Sequence, residues 1–205
     1  MYPYVKRLFD IVLSLLGLII LSPILLVVAL FLFWDFKGTP FFTQQRPGKK
    51  EEIFHVLKFK TMNNKKDASG NLLPDTERLT PLGIFIRKTS IDELPQLINV
   101  LKGDMSLIGP RPLLVKYLPY YKQEERIRFT VRPGITGLAQ ISGRNYMTWD
   151  EKFKKDIQYV QNMSFSQDLF IFYKTIFKIF KTSDVELDQS SYMPDLDIER
   201  KQMMG

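Results

Sequence analysis

The sequence predicts an α+β protein: a mostly helical small domain with a short β-hairpin, carried on an N-terminal re-entrant membrane helix and flanked by interfacial amphipathic helices. Three observations predict it. Leu8 to Phe33 is almost wholly apolar yet is interrupted near its midpoint by Ser22-Pro23. Two short β-branched and aromatic runs flank the turn-forming Arg46-Pro47-Gly48-Lys49-Lys50. Helix-start signals at Thr80-Pro81 and Ser90 are followed by apolar residues at helical spacing. With 205 residues, 45% of them hydrophobic, the chain can bury one core and add a membrane element. The expected division is residues 1–37 as a membrane helix-break-helix, 38–183 as a cytosolic and interfacial domain, and 184–205 as a polar tail.

The apolar segment comes first. A run of about 20 apolar residues spans a ~30 Å hydrocarbon core, so a plain spanning helix competes with a re-entrant one. Pro23 removes a backbone hydrogen bond and Ser22 can satisfy the carbonyl this frees, which makes a bend in the membrane tolerable. Each half, Ile11 to Leu21 and Ile24 to Trp34, is about 11 residues or ~16 Å of helix, enough to reach the bilayer middle. Lys6 and Arg7 precede the segment and Lys37, Arg46, Lys49 and Lys50 follow it. The positive-inside rule therefore keeps both ends in the cytoplasm and favours the re-entrant reading. A signal peptide fails because the apolar run is too long and no small-residue cleavage site follows.

Pro40 to Gln45 and Ile53 to Met62 read as the two strands. Alternation in the second places Phe54, Val56, Lys58, Lys60 and Met62 on one face, where the lysines can meet an anion, with His55 on the other. Asn63 to Thr76 reads as a mobile loop. One histidine and no cysteine exclude a disulfide framework, a thiol nucleophile, a histidine-based triad and a zinc site. Thr80-Pro81 then caps and starts a helix that brings Arg87 and Lys88 toward Asp92.

Ser90 and Glu93 stand in the S-x-x-E relation of a capping box, which puts Asp92 in a first helical turn beside unpaired N–H groups. A carboxylate there stays ionised at neutral pH and can act as a nucleophile, while Glu93 is an oxygen ligand of the kind Mg²⁺ prefers. Arg87 and Arg111 can bind phosphoryl oxygens in bidentate fashion. Pro95 moves the true helix start a residue or two later. Leu94, Leu97, Ile98 and Leu101 form its core-facing stripe, and Gly103 ends it. Pro110 and Pro112 restrict the backbone around Arg111, so less entropy is lost when it binds phosphate.

Arg132-Pro133-Gly134-Ile135-Thr136-Gly137 and Ser142-Gly143-Arg144-Asn145 read as glycine-rich turns that let the backbone approach a phosphate. Neither a P-loop nor a Rossmann fingerprint is present. Net charge is +7, from 29 basic and 22 acidic residues, which favours anionic partners. Gln167 to Thr182 is greasy with a narrow cationic stripe of Lys174, Lys178 and Lys181, as suits a head-group boundary. Tyr117, Leu118, Tyr120 and Tyr121 around Pro119 can add interfacial anchors.

Thr89 to Leu97 with Asn99 to Pro112 resembles the signature of the bacterial sugar transferases that work on polyprenyl phosphate, the monotopic phosphoglycosyl transferases. The likeness extends in order through Phe42-Thr43-Gln44-Gln45-Arg46-Pro47-Gly48, Lys58-Phe59-Lys60-Thr61-Met62, Val131 to Gln140 and Gly143-Arg144-Asn145. It covers Lys6 to about Phe180 and points to the short form, similar to enzymes that start bacterial N-linked glycan assembly. The resemblance implies transfer of a sugar-1-phosphate, from a UDP-sugar expected to be N-acetylated, to polyprenyl (undecaprenyl) phosphate. It further implies release of UMP and a covalent phosphosugar on Asp92. Mg²⁺ held by Glu93 is the implied cofactor. Lys58, Arg87, Arg111 and Arg144 are the implied substrate-binding residues, with Asp156 in support and Ser22-Pro23 as the membrane break. The implied setting is the cytoplasmic face of the bacterial inner membrane. The implied partners are the donor, the lipid acceptor, the phospholipid bilayer and downstream glycosyltransferases, with no nucleic acid. Two other readings compete: a membrane-anchored basic adaptor without catalysis, whose binding would fall steeply with salt, and an aspartyl-phosphate phosphatase, in which water replaces the lipid.

Overall fold

Helix α1 spans Tyr2–Phe36 and is continuous through the expected break. Pro23 has no N–H to give the Ile19 carbonyl, and the Ser22 hydroxyl donates to that oxygen instead at 2.7 Å. In the computed structural model, which describes residues 2–143, 147–180 and 194–204, it is the helix long and apolar enough to cross a membrane. Both of its ends rest on the same domain. Near the start, Arg7 donates to the Val100 and Leu101 carbonyls at 2.7 and 3.1 Å, and Asp10 accepts from the Ser106 hydroxyl and the Leu107 N–H. Near the end, Leu32 is fully buried against Phe59 and Ile86.

Strands β1 (Phe41–Pro47) and β2 (Ile53–Phe59) form the antiparallel hairpin, with Phe42 opposite Lys58 and Arg46 opposite Phe54. Arg46 and Pro47 belong to the strand rather than to the turn, which closes through Gly48 N–H to the Glu52 carbonyl at 2.8 Å. The second strand ends at Phe59, so Lys58 and Lys60 do not work on one face: Lys60 lies 4.8 Å over the Phe36 ring. The stretch expected to be a mobile loop contains a local turn, where Asp67 Oδ1 accepts from Ser69 and Asn71 N–H, and then the short helix α2 (Asp75–Arg78).

Helix α3 (Pro81–Lys88) begins as its sequence requires, with the Gly83 N–H donating to Thr80 Oγ1 at 3.0 Å. Its Gly83 sits directly on the Thr61 backbone, and an added Cβ would come within 2.0 Å of the Thr61 oxygen. Gly83→Ala is therefore expected to destabilise the protein by about 2 kcal/mol despite the better helix propensity of alanine. Thermal denaturation in detergent checks this, and an unchanged or raised Tm counts against it.

Helix α4 (Gln96–Lys102) starts one residue after Pro95 and ends at Gly103, whose φ of 98° is the left-handed stop. Its inward face is not the expected stripe. Gln96, Leu97, Asn99 and Val100 are buried while Ile98 is 36% exposed. The reason is Asn99, whose side chain accepts from the Leu57 N–H and donates to the His55 carbonyl, docking α4 onto β2 through fully paired polar atoms.

Strands β3 (Ser106–Ile108) and β4 (Gly134–Thr136) pair in parallel, which corrects the reading of residues 132–137 as a turn. The glycines there serve close approach of backbone to backbone. A Cβ on Gly134 would lie 2.1 Å from the Gly109 nitrogen, and one on Gly137 would lie 2.1 Å from the Gly109 oxygen. Helix α5 (Leu138–Ser142) follows, then α6 (Trp149–Gln161), opened by a capping box between Thr148 and Glu151.

Helix α7 (Phe165–Phe180) turns Asp168, Ile171 and Thr175 inward, and Lys178 donates to the Gln140 and Ile141 carbonyls. Lys178 thus leaves the expected outward stripe, and Lys181 lies outside the described residues. Leu169, Phe170, Phe172, Tyr173, Ile176 and Phe177 face outward. Finally, the expected polar tail contains a docked helix, α8 (Leu196–Met204). Leu196 enters a core of Tyr117, Tyr121, Phe129, Trp149 and Phe153. Tyr117 and Tyr121 are therefore core residues and not interfacial anchors.

Candidate active site

The two carboxylates sit on a single 3₁₀ turn, Ile91–Glu93, between α3 and α4. The capping box expected there does not form. Ser90 takes a left-handed conformation with φ of 58° instead of the extended one a capping residue adopts, and its side chain makes no cap bond. Glu93 is held by cations instead. Its Oε1 accepts from Lys58 Nζ and from Arg111, each at 2.7 Å, and its Oε2 lies 3.4 Å from the second Arg111 nitrogen. Asp92 has a looser partner, Lys58 at 3.8 Å, although its side chain is only 13% exposed.

The electrostatics separate the pair. Burial pushes the Asp92 carboxyl up to about 6 and the Glu93 charge adds to this, while Lys58, Arg111 and Arg87 pull the other way. Burial would raise Glu93 as well, but Arg111 and Lys58 outweigh it and hold Glu93 well below the usual carboxylate range. Asp92 is thus ionised at neutral pH in spite of its surroundings and not because of a helix dipole. A half-desolvated carboxylate with a raised proton affinity is a better nucleophile than a fully solvated one.

Lys58, Asp92, Glu93 and Arg111 are brought together as a bonded group. Arg87 stands beside it, its Nε donating to Thr61 Oγ1 at 2.9 Å and its charge acting on Asp92. Asp156 is elsewhere. It is buried on α6 and pairs with Arg128 at 3.1 Å, and Arg128 in turn donates to the Tyr121 hydroxyl at 2.6 Å and to the backbone carbonyl of Arg111 at 2.5 Å. Burial raises the Asp156 carboxyl to about 6, with Arg128 opposing. Its role is to support the arginine that supports Arg111. Arg144 lies outside the described residues.

Sequence reasoning missed two of these groups. Arg128 carries no local motif, and its function is visible only when residues 111, 121 and 156 converge. Arg46 was read as part of a turn, yet it donates to the Pro112 carbonyl at 3.4 Å and to Gln44 Oε1 at 2.6 Å, bracing the far side of the Pro110-Arg111-Pro112 loop. Burial, followed by the nearby Arg111 charge, lowers its pKa to about 10. A strand-end arginine beside Pro47 was the available signal.

Three cations, Lys58, Arg87 and Arg111, around two carboxylates leave the site net positive, suited to a diphosphate. Among the described residues there is no grouping of three or more carboxylate or histidine ligands. The donor set fits Mg²⁺ shared with phosphate oxygens, which uses one or two carboxylates, and does not fit an all-protein cage. Glu93 would hold it through Oε2, the oxygen with the longer Arg111 contact.

Comparison with known proteins shows what the chain resembles. The chain is 48% identical over 181 residues to an uncharacterized sugar transferase, EpsL, of Bacillus subtilis, covering 88% of this chain and 90% of the relative. It is 40% identical over 189 residues to the exopolysaccharide production protein ExoY of Sinorhizobium fredii, covering 83% of each. It is 42% identical over 185 residues to the UDP-glucose:undecaprenyl-phosphate glucose-1-phosphate transferase of Klebsiella pneumoniae, covering 85% of this chain but 40% of that longer relative. The bacterial sugar transferase family model matches residues 1–182, a span that holds the hairpin, the carboxylate turn and the arginines that frame it, and the chain belongs to that family.

Proposed function

We propose that the protein transfers a sugar-1-phosphate from a UDP-sugar to undecaprenyl phosphate, releasing UMP and leaving a polyprenyl-diphosphate-linked sugar. The observation that carries this reading is the division of labour between adjacent carboxylates: Glu93 is clamped by Lys58 and Arg111, and Asp92 is left buried, ionisable and loosely paired. Relatives named for undecaprenyl-phosphate transfer of galactose and glucose phosphate supply the substrate class.

In the first step an Asp92 oxygen attacks the sugar-proximal phosphorus of the donor. The bond from that phosphorus to the bridging oxygen breaks and UMP leaves with the electron pair. In the second, an oxygen of undecaprenyl phosphate attacks the same phosphorus, and the aspartyl oxygen departs as the carboxylate. Arg111, Lys58 and Arg87 neutralise charge on the phosphoryl oxygens in both steps. When bound, Mg²⁺ at Glu93 would offset the charge of the diphosphate.

The membrane arrangement follows the same reading. Helix α1 touches the domain near both ends, and α7 turns an apolar face outward. A helix that enters and leaves on one side satisfies the first fact, and a domain seated at the lipid boundary satisfies the second. We place the site on the cytoplasmic face, where a soluble donor meets a lipid-borne acceptor.

The test is UMP release by detergent-solubilised protein with Mg²⁺, undecaprenyl phosphate and a panel of UDP-glucose, UDP-galactose and their N-acetylated counterparts. Acceptor-dependent release with one donor supports the transferase. Sugar phosphate formed without acceptor points to the phosphatase, and no UMP with any donor points to the adaptor.

A further inference from the structure

The family match ends at residue 182, but α8 lies beyond it and is built into the core. Its Arg200 side chain is 4% exposed, and one of its nitrogens meets two carboxylates, Glu125 at 2.8 Å and Asp150 at 2.7 Å. These belong to different elements. Glu125 lies in the 3₁₀ segment Glu124–Thr130, one turn before Arg128, and Asp150 lies in the first turn of α6, the helix that carries Asp156. Arg128 and Asp156 are the pair that holds the Arg111 carbonyl. One buried cation therefore ties together both elements that support the arginine of the site. A second tie runs alongside, as the Trp149 indole N–H donates to the Pro194 carbonyl at 2.9 Å.

We infer that α8 is a clamp for the Arg111 loop and that Arg200 is its positioning residue. The geometry says what would be lost without it. Glu125 is itself buried, with the Lys122 N–H on its other oxygen, so removing the guanidinium leaves a buried charge without its cation, and moving the 3₁₀ segment toward solvent relieves it. Arg128 is three residues along that segment and would move with it. The Arg111 guanidinium would then be aimed less well at Glu93 and at the donor diphosphate.

The test of the clamp has two independent readouts, since its kinetic half rests on the function proposed above. In hydrogen exchange, Arg200→Gln is expected to speed exchange of backbone amides in residues 109–118, with α1 and the hairpin unchanged. In UMP release with UDP-glucose or UDP-galactose, whichever the wild type uses, kcat/KM is expected to fall about tenfold, mostly through KM for the donor. In an Arg111→Lys background the same change is expected to cost less than twofold, because the residue it acts through is already altered. Full multiplicative loss in that background, or unchanged exchange at 109–118, overturns the proposal. If Arg200→Gln does not fold, Asp150→Asn removes the more exposed half of the clamp and is read the same way. A wild type that releases no UMP sinks the functional reading while the exchange result still decides the clamp.

Discussion

Asp92→Asn is expected to fold normally and to abolish transfer, with a fall in UMP release on the order of 10⁴-fold or more, as for loss of a covalent nucleophile. The amide is nearly the shape of the carboxylate, and Lys58 keeps its bond to Glu93, so little structural disturbance accompanies the loss. Intact-protein mass after incubation with the active donor and Mg²⁺, without acceptor, isolates the step. The wild type is expected to gain one phosphosugar and the variant nothing. Loss of the adduct in Glu93→Gln with retention in Asp92→Asn would transfer the role to the neighbouring residue. The pH dependence has a definite sign. Burial raises the Asp92 carboxyl to about 6, and only the ionised form attacks. Adduct formation is therefore expected to rise with pH up to about 6 and level off above 7, with roughly a tenth of the carboxylate ionised at pH 5.

Arg128→Met is expected to give the largest loss of stability, about 3–5 kcal/mol. The guanidinium is enclosed by Tyr121, Phe129 and Phe153 and bonds the Tyr121 hydroxyl, Asp156 and the Arg111 carbonyl. Methionine fills some of the volume but leaves Asp156 as a buried, uncompensated charge. The deficit is thus expected to shrink as pH falls from 7.5 to 5.5. Without Arg128 the Asp156 carboxyl rises further, and protonation removes the charge that burial penalises. The double variant Arg128→Met/Asp156→Leu is expected to recover part of the stability without the activity, since nothing then holds the Arg111 carbonyl. Thermal denaturation at the two pH values checks the first claim. A deficit independent of pH would mean that lost packing, and not the stranded carboxylate, sets the cost.

What the sequence made legible was whatever local chemistry decides. Thr80-Pro81 caps α3, Gly103 ends α4, and the strands flank a turn near Gly48, because each of these depends on residues within a few positions. Lys58, Asp92, Glu93 and Arg111 were likewise readable as candidates from their types and motifs. The misses share one cause: contacts between distant residues overrode local preference. Ser90 and Glu93 match a capping box, but Lys58 from β2 and Arg111 from beyond β3 claim the glutamate. Ile98 belongs to a helical stripe on paper, yet Asn99 takes the inward position because it can pair with β2. The glycines of 134–137 read as a flexible turn when their neighbour is unknown and as a strand pressed on Gly109 once it is known. The tail looked polar because Leu196, its buried apolar anchor among the described residues, is flanked by charged residues whose partners lie at 116, 125 and 150.

Helix α1 is held by Asp10 and Ser14 near one end and by Leu32 near the other, all of them buried. Those anchors set its phase as well as its position. Each residue of an α-helix turns the face by about 100°, so a single insertion between the anchors would swing one of them off the domain, whereas an insertion of about seven residues would keep the phase and lengthen the path by ~10 Å. The number of residues between the anchors is consequently set by the fold, a ruler cut to one length.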